Sequence, residues 1–250
     1  MSFLINPKLK KVKKWYWYVT IGESVESLLI ALIMALIIKT SVVEAYKIPS
    51  GSMEDTLLVG DFLLANKFVY GMELPIPFTD IKLPALDDPK PGDIIIFKYP
   101  KEPEINYIKR CVAIEGQTVE IRDKKLFVDG VPIPLPSEGK HADKRIAPRH
   151  RNANWGMGVR DNMPIRTVPD GHLFVMGDNR DNSSDSRFWG FLDRDLVMGR
   201  AMMIHWSWRS DPKAPSVSAA DMLSIPKMIG YTIWHFPESV RWNRLGDVIN

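Results

Sequence analysis

Beyond residue 43 the chain alternates apolar and polar positions over short runs that end in glycine or proline. Runs of this kind are GDFLLANKFVYG, GDIIIFKYP, NYIKRCVAIEG, GHLFVMG and LVMGRAMMIHWSW. A period of two with many β-branched residues is typical of strands. The run TVEIRDKKLFVDGVPI predicts a hairpin unit with turns at Asp123-Lys124 and Asp129-Gly130. The pattern therefore predicts a mainly β fold with an antiparallel β domain.

One apolar run near the N-terminus has a different pattern and predicts a membrane helix. Residues 21–43, IGESVESLLIALIMALIIKTSVV, are long enough as a helix to cross a bilayer core of roughly 30 Å. Lysines precede this run and few follow it immediately, which predicts a cytoplasmic N-terminus and an external remainder. We therefore predict a single transmembrane anchor at 21–43, preceded by a cytoplasmic basic and aromatic segment at 1–20.

Two other interpretations of the apolar run remain open. Its uncharged centre, from Ser27 to Ile38, has a length that is also typical of signal-peptide cores and of buried helices. Val43-Glu44-Ala45 has the small residues of a leader cleavage site. An anchor is favoured because the long basic region and the Trp-Tyr-Trp-Tyr cluster before the run are more than a leader needs.

Two polar stretches interrupt the strand pattern and divide the chain. Residues 72–91 are rich in proline and predict an irregular surface excursion rather than a sheet element. Residues 134–168 are rich in Lys, Arg, His and Asn and predict an insertion. The β domain is then formed by 44–133 and 169–209. The tail, 210–250, is predicted either to pack on this domain or to lie at a lipid interface.

Composition narrows the classes of function. The chain has 250 residues, 45% hydrophobic and 25% charged, as expected for a globular protein. A formal charge of +3 is too small for a nucleic-acid surface, and the most basic cluster lies in the first fourteen residues. Cys111 is the only cysteine, which excludes an intrachain disulfide and a cysteine-based zinc site. We predict no metal, no cofactor, no nucleic-acid partner and no obligate protein partner.

Three stretches carry candidate chemistry. KIPSGSMEDTLLVGDF places Ser52 in a stiff turn, and a serine hydroxyl needs a base to act as a nucleophile. None of the five histidines has a triad or metal spacing, so Lys109 in an apolar strand is the alternative base. Burial would lower its pKa towards neutrality, although a lysine that points to water is the competing interpretation. The third stretch, MGDNRDNSSDSRFWGFL, predicts either a tight surface loop or a set of ion pairs.

Together these stretches closely resemble the type I signal peptidases, membrane-bound Ser-Lys proteases that remove signal peptides from exported proteins. The resemblance lies in IPSGSMEDTLLVGDF, PGDIIIFKYP, NYIKRCVAIEGQTVEI, LFVDG and GDNRDNSSDSRFWGF, in this order behind an N-terminal anchor. It implies that Ser52 is the nucleophile and Lys109 the general base. Ser50 and the backbone N–H of Ser52 would form the oxyanion hole, and Ser183 would hydrogen-bond and orient the lysine.

The resemblance also implies support for the site, partners and a location. Arg110 with Asp178, and Asp185 with Arg187, would brace the catalytic residues. The implied fold is an antiparallel β catalytic domain of the signal peptidase type with an inserted smaller β region. The implied partners are signal-peptide-bearing preproteins and the lipid bilayer, with cleavage after small residues at Ala-x-Ala sites. The implied location is the bacterial inner (plasma) membrane, with the catalytic domain on the extracytoplasmic side.

Two other functions remain to be weighed. A Ser-Lys self-cleaving repressor-like protease would share the chemistry, but such proteins are soluble and carry a DNA-binding head. An anchored β domain could instead bind exported peptides by strand addition without cutting them. The chain also departs from parts of the family pattern. Some relatives have two N-terminal spans, and many Gram-negative ones have a disulfide that Cys111 alone cannot form.

Overall fold

The computed structural model describes 23–32, 34, 43–73, 82–147, 159–215 and 224–249. The predicted segment 1–20 lies outside these ranges, as do 21–22, 33 and 35–42 of the predicted anchor. Residues 23–32 are helical and are named α1. In the described part of the chain, no helix is both long and apolar enough to cross a membrane.

Strands are the main regular element of the described chain. The strands are β1 (Val43–Lys47), β2 (Asp61–Asn66), β3 (Met72–Glu73), β4 (Lys82–Leu83), β5 (Ile94–Tyr99), β6 (Glu102–Ile114), β7 (Thr118–Arg122), β8 (Lys125–Val128), β9 (Val131–Ile133), β10 (Met163–Thr167), β11 (His172–Met176), β12 (Leu192–Asp193) and β13 (Val197–Ser207). Two further helices are α2 (Ser186–Trp189) and α3 (Ser224–Ser239). Short 3-10 turns lie at Gly51–Met53, Phe68–Tyr70, Arg194–Leu196 and Trp242–Arg244.

The main sheet has seven strands in the order β1-β2-β13-β5-β6-β11-β12, and its neighbours pair antiparallel. The prediction of a mainly antiparallel β fold is confirmed. Strand β5 lies in the middle of this order. Both of its faces are covered, since Ile94, Ile95, Ile96 and Phe97 are buried in succession. The turn between β1 and β2 reaches β6, since Lys109 contacts Ser52, even though β2, β13 and β5 separate β1 from β6 in the strand order. A flat sheet would keep these strands apart, so the main sheet is curved.

A second sheet has the order β10-β7-β8-β9. Both predicted tight turns are confirmed, since Asp123, Lys124, Asp129 and Gly130 all have positive φ between paired strands. The boundary of this region differs from the predicted insertion at 134–168. The second sheet already includes β7, which precedes the predicted insertion, and β10 from within the insertion pairs with it. A pairing between distant strands leaves no mark in a local sequence pattern.

The Pro-rich stretch is only partly irregular. Strand β3 at its start and strand β4 in its middle form a short antiparallel ladder, with Met72 opposite Leu83 and Glu73 opposite Lys82. The prediction that no sheet element occurs at 72–91 is therefore wrong for these four positions. Residues 74–81 lie outside the described ranges.

The end of the tail packs on the β domain. Trp208 forms a β-bridge with Val240, and Ile249 is buried among the side chains of β1, β2 and β13. Arg241 and Arg244 both reach the buried carboxylate of Asp61, which is wholly enclosed. These contacts fit one of the two alternatives predicted for the tail. Helix α3 exposes large apolar side chains, namely Ile225, Ile229, Ile233, Trp234 and Phe236.

Candidate active site

Ser52 lies in the 3-10 turn between β1 and β2, where buried neighbours fix the backbone. Ser50 before the turn is extended, and Met53 at its end is buried at 2% exposure. The loop that precedes α2 holds the turn from the other side. In this loop the Asn179 backbone N–H donates to the Ser52 carbonyl at 3.1 Å, and its Nδ2 donates to the Gly51 carbonyl at 3.0 Å. The Ser52 side chain is therefore presented from a rigid turn.

Lys109 reaches this turn from the middle of β6. Its Nζ lies 2.8 Å from Ser52 Oγ and donates to the Ile108 carbonyl at 2.9 Å. The residue is 3% exposed, so the alternative of a lysine that points to water is wrong. Burial lowers the pKa of Lys109 to about 8, although the carboxylates of Asp185 and Asp178 act in the opposite direction. A substantial fraction of this amine is therefore neutral slightly above neutral pH.

The two other predicted serines occupy different positions relative to the pair. Ser50 Oγ is 3.4 Å from Ser52 Oγ, so the two hydroxyls lie side by side. Ser183 is buried, but the hydrogen bond predicted between it and Lys109 is not formed. Ser183 Oγ makes no hydrogen bond of regular geometry among the described residues, although its hydroxyl helps to lower the pKa of the buried Asp185 carboxyl. The prediction from the resemblance is therefore corrected in its geometry, because the Lys109 amine bonds to Ser52 and to the backbone instead.

The first predicted bracing pair links β6 to the loop before α2. Arg110 binds Asp178 through two contacts, Nε to Oδ1 at 3.0 Å and Nη2 to Oδ2 at 2.9 Å. Arg110 Nη1 also donates to the Gly92 carbonyl at 2.7 Å, and Asp178 is fully buried. A bidentate pair of this kind fixes orientation as well as distance. It therefore holds the strand that carries Lys109 against the loop that carries Asn179.

The second predicted pair lies within the loop and the start of α2. Arg187 Nε and Nη2 donate to the two oxygens of Asp185, each at 2.8 Å, and both residues are buried. Asp185 also accepts the backbone N–H of Gly177 at 3.1 Å. Burial acts to raise the pKa of the Asp185 carboxyl, but the charge and hydrogen bonds of Arg187 outweigh this and lower it. The carboxylate is therefore ionised at neutral pH.

Sequence reasoning missed three residues that hold the site together. Asn179 carries the Ser52 turn, and Thr56 Oγ1 donates to Asp178 at 2.7 Å. Gly177 permits close approach, because a Cβ there would lie 2.5 Å from the Ser52 carbonyl oxygen and 2.3 Å from Ser183 Oγ. Asn179 and Gly177 fall in the block GDNRDN, where a run of turn-forming residues was the available signal. Thr56 had none.

A cleft of about 310 Å³ opens onto the Ser52–Lys109 pair. One wall is formed by 46–53 and the other by 105–109, with Asn182 and Ser184 at one end. Both walls present strand edges. Among the described residues, β1 pairs only with β2. Strand β6 pairs with β11 only from Arg110 onward, so that within the same part of the chain its preceding residues bond to β5 alone. An extended peptide can therefore pair with backbone on both sides of this cleft.

Comparison with known proteins identifies the family. Residues 21–206 match the family model described as Signal peptidase, peptidase S26. The chain belongs to this family. The resemblance inferred from the five sequence blocks is thereby confirmed, and membership of this serine peptidase family makes the chain a peptide hydrolase.

Individual relatives of this signal peptidase family cover most of the chain. Signal peptidase I of Pseudomonas aeruginosa is 40% identical over 73% of this chain and 71% of its own length. Signal peptidase I of Aquifex aeolicus is 33% identical over 84% of this chain and 93% of its own length. A crystal structure of a signal peptidase I from Enterococcus faecalis V583 is 33% identical and covers 46% of this chain and 97% of its own. Its TM-score of 0.34 is too low to support any argument about fold.

Proposed function

We propose that this chain is a membrane-anchored serine endopeptidase that removes signal peptides from exported preproteins through a Ser52–Lys109 dyad. The observation that carries the proposal is the 2.8 Å contact between Lys109 Nζ and Ser52 Oγ in a buried setting. A neutral amine at this distance is a competent general base, because it lies within hydrogen-bond reach of the proton that it must remove. Family membership supports the same reaction class.

In the proposed mechanism neutral Lys109 takes the Ser52 hydroxyl proton while Ser52 Oγ attacks the scissile carbonyl. The protonated amine then gives its proton to the leaving amine of the new N-terminus. Water, activated by the same lysine, releases the acyl group from Ser52 and restores the hydroxyl. The lowered pKa of Lys109 supports this cycle, since the amine must be neutral at the start of each step that removes a proton.

The oxyanion that forms during attack needs donors beside Ser52. We assign this role to the Ser50 hydroxyl and the Ser52 backbone N–H. Ser50 supports the assignment because its Oγ is 3.4 Å from Ser52 Oγ on the wall of the cleft. Loss of one such donor costs on the order of 100-fold or more in rate. For Ser183 we keep the proposed role of orienting the lysine, since its buried hydroxyl lies near the Ser52 backbone and makes no hydrogen bond of regular geometry among the described residues.

The substrate is proposed to lie as an extended strand in the cleft, between the free edges of β1 and β6. A cleft of about 310 Å³ leaves room for small side chains next to the scissile bond, which fits cleavage at Ala-x-Ala sites. Backbone pairing supplies affinity that is independent of sequence, and the shallow pockets supply selection. One protease can then process preproteins whose signal peptides differ.

We place the chain in the bacterial inner (plasma) membrane, with 21–43 as the anchor and the β domain on the extracytoplasmic side. The apolar pattern of this run and the lysines before it support the assignment. Helix α3 gives further support for lipid contact, because Ile233 is 70% exposed and Trp234 is 83% exposed. Such side chains are frequent at membrane interfaces. N-terminal sequencing of the mature protein distinguishes an anchor from a removed leader.

The proposal is tested by cleavage of a purified preprotein in detergent. Ser52→Ala and Lys109→Ala should each abolish cleavage, while Lys98→Ala, an exposed lysine on the neighbouring strand β5, should retain it. Full activity in Lys109→Ala would disprove the dyad. Binding of preprotein by all four proteins without any cleavage would instead favour the alternative, a non-catalytic β domain that captures exported peptides by strand addition.

A further inference from the structure

A second pocket, of about 410 Å³, lies on the second sheet beside the segment that follows β9. Ile133 and Leu135 give it an apolar wall. Its polar lining consists of basic side chains, namely Lys124, Lys125, His141 and Arg180. None of the residues that line the Ser52–Lys109 cleft lines this pocket, so the two are separate.

Arg180 is the unusual member of this lining. It is 4% exposed, its Nε has no hydrogen-bond partner, and its Nη1 contacts only the Met176 sulfur, at 3.6 Å. No carboxylate of the described residues lies within ion-pair distance of it. Burial lowers the pKa of the guanidinium to about 10, so it still carries its charge at neutral pH. A buried charge without a counter-ion is costly, and proteins rarely retain one.

The carboxylates near Arg180 are already engaged. Asp178 is held by Arg110 and Asp185 by Arg187, each through two contacts, so that three buried guanidinium groups share two buried carboxylates. The next acid along the chain, Asp181, is bound to Lys124 at 2.7 Å. Asp181 therefore balances the charge of Lys124 and leaves that of Arg180 unmatched. Among the described residues, no carboxylate is therefore left to pair with Arg180.

We infer that this pocket binds a small amphipathic anion, a carboxylate attached to an apolar body. Its anionic group would pair with Arg180, and its apolar body would lie against Ile133 and Leu135. Lys125, exposed at the pocket, would attract the anion during approach. The volume is within the range of small-molecule sites, and an apolar lining with a few convergent polar groups is their usual composition.

The strand at this pocket argues against a peptide ligand. β9 is an edge strand, and residues 128 and 131 flank a two-residue turn, so the backbone groups of Pro132 point away from β8. Proline has no N–H, and Pro134 repeats this block two residues later. A peptide therefore finds no backbone donor at these positions of the edge. A ligand held by side chains alone is the better fit.

The test uses the full-length protein in nanodiscs of a zwitterionic lipid and saturation-transfer NMR with 4-phenylbutanoate. The neutral 4-phenylbutanamide has the same body without the charge, and empty nanodiscs correct for partition into lipid. We expect saturable binding of the carboxylate that is at least about tenfold tighter than that of the amide, because a hydrogen bond to a charged group is worth about this much. Equal binding of the two probes would overturn the inference.

Variants locate the site. Arg180→Gln should weaken carboxylate binding at least about tenfold, and Lys125→Glu should weaken it severalfold, whereas Lys101→Glu, an exposed lysine outside the pocket, should not. If Arg180→Gln does not fold, Leu135→Asp replaces it as the second test, since a carboxylate in the wall should exclude the probe. Unchanged binding in Lys125→Glu and in either of the other two variants would refute the site.

The anion could come from solution or from the membrane. The same titration in nanodiscs that contain phosphatidylglycerol separates these sources. Weaker probe binding there would show that a lipid anion competes for the pocket, and unchanged binding would assign the pocket to a soluble ligand. The inference does not depend on the proposed peptidase mechanism, and failure of either leaves the other standing.

Discussion

Lys109 and Arg180 are both cations that the fold has buried, and they respond to burial in opposite ways. Each is less than 5% exposed, and neither has a carboxylate among the described residues within ion-pair distance. The lysine can release its proton, and burial brings its pKa to about 8, so the amine becomes a base. The guanidinium of Arg180, with a pKa of about 10, does not release its proton at neutral pH. It therefore stays charged and needs an anion. Burial of a positive group thus gives the proposed general base in one case and the inferred anion site in the other.

Replacing the buried amine of Lys109 by a guanidinium should have the largest effect on cleavage. Lys109→Arg keeps a positive charge on β6 but removes a proton acceptor, since arginine stays protonated in proteins. We expect kcat/KM for preprotein cleavage to fall by about 10²–10⁴-fold, the usual contribution of general base catalysis. Lys98→Arg on the exposed face of β5 is the matched control and should cleave normally. Retention of activity in Lys109→Arg would show that the lysine acts only as a fixed charge.

The next test compares a paired with an unpaired guanidinium. Arg187→Met leaves the buried Asp185 carboxylate without its partner and should lower the free energy of unfolding by about 3–5 kcal/mol. Arg180→Met leaves no carboxylate without a partner and should be neutral or stabilising. Urea unfolding of both variants measures the difference. A large loss of stability in Arg180→Met would mean that its charge is already balanced within the protein.

The pH dependence of cleavage tests the protonation state of Lys109. Because the neutral amine is the active form and its pKa is lowered from 10.5 to about 8, kcat/KM should rise about tenfold per pH unit below pH 8 and level off above it. Activity is thus lost as the pH falls. A limb near pH 10.5, the ordinary pKa of lysine, would contradict desolvation of this amine.

The smallest expected effect concerns Ser183, the buried serine near the Ser52 backbone. Ser183→Ala removes a buried hydroxyl proposed to orient Lys109 during turnover and should lower kcat by up to about tenfold, the value of one hydrogen bond. KM should stay constant, because the hydroxyl does not line the cleft. Ser210→Ala, at an exposed position, is the control. A wild-type kcat would confine Ser183 to a packing role.

Local pattern predicted much of the fold but only part of the site. The strands and the turns at Asp123-Lys124 and Asp129-Gly130 follow from alternation and turn chemistry, which act over a few residues. The boundary of the second sheet did not follow, because β7 pairs with β10, a strand that comes much later in the chain, as in the pair Thr118–Thr167. The burial of Lys109 did not follow from the sequence either, because an apolar strand has two faces. Only the tertiary contact with Ser52 shows which face carries the lysine inwards.

Arg180 shows the same limit more sharply. In the sequence GDNRDN it stands between Asp178 and Asp181, and local reading would pair it with either acid. The fold assigns these acids to Arg110 and Lys124, which come from β6 and from a turn of the second sheet. Which charges find partners is decided by tertiary contacts, so a surplus cation is visible only after the fold is known.

Pro132 and Pro134 also affect how this molecule meets unfolded cargo. An unfolded polypeptide can pair through its backbone with any exposed edge strand. A domain with several exposed edges would therefore bind its substrates at unproductive positions. The prolines close the outer margin of the smaller sheet at these positions and leave the gap between β1 and β6 as an open place to dock. Under the proposed function, this closure favours binding of an exported chain between β1 and β6, beside Ser52.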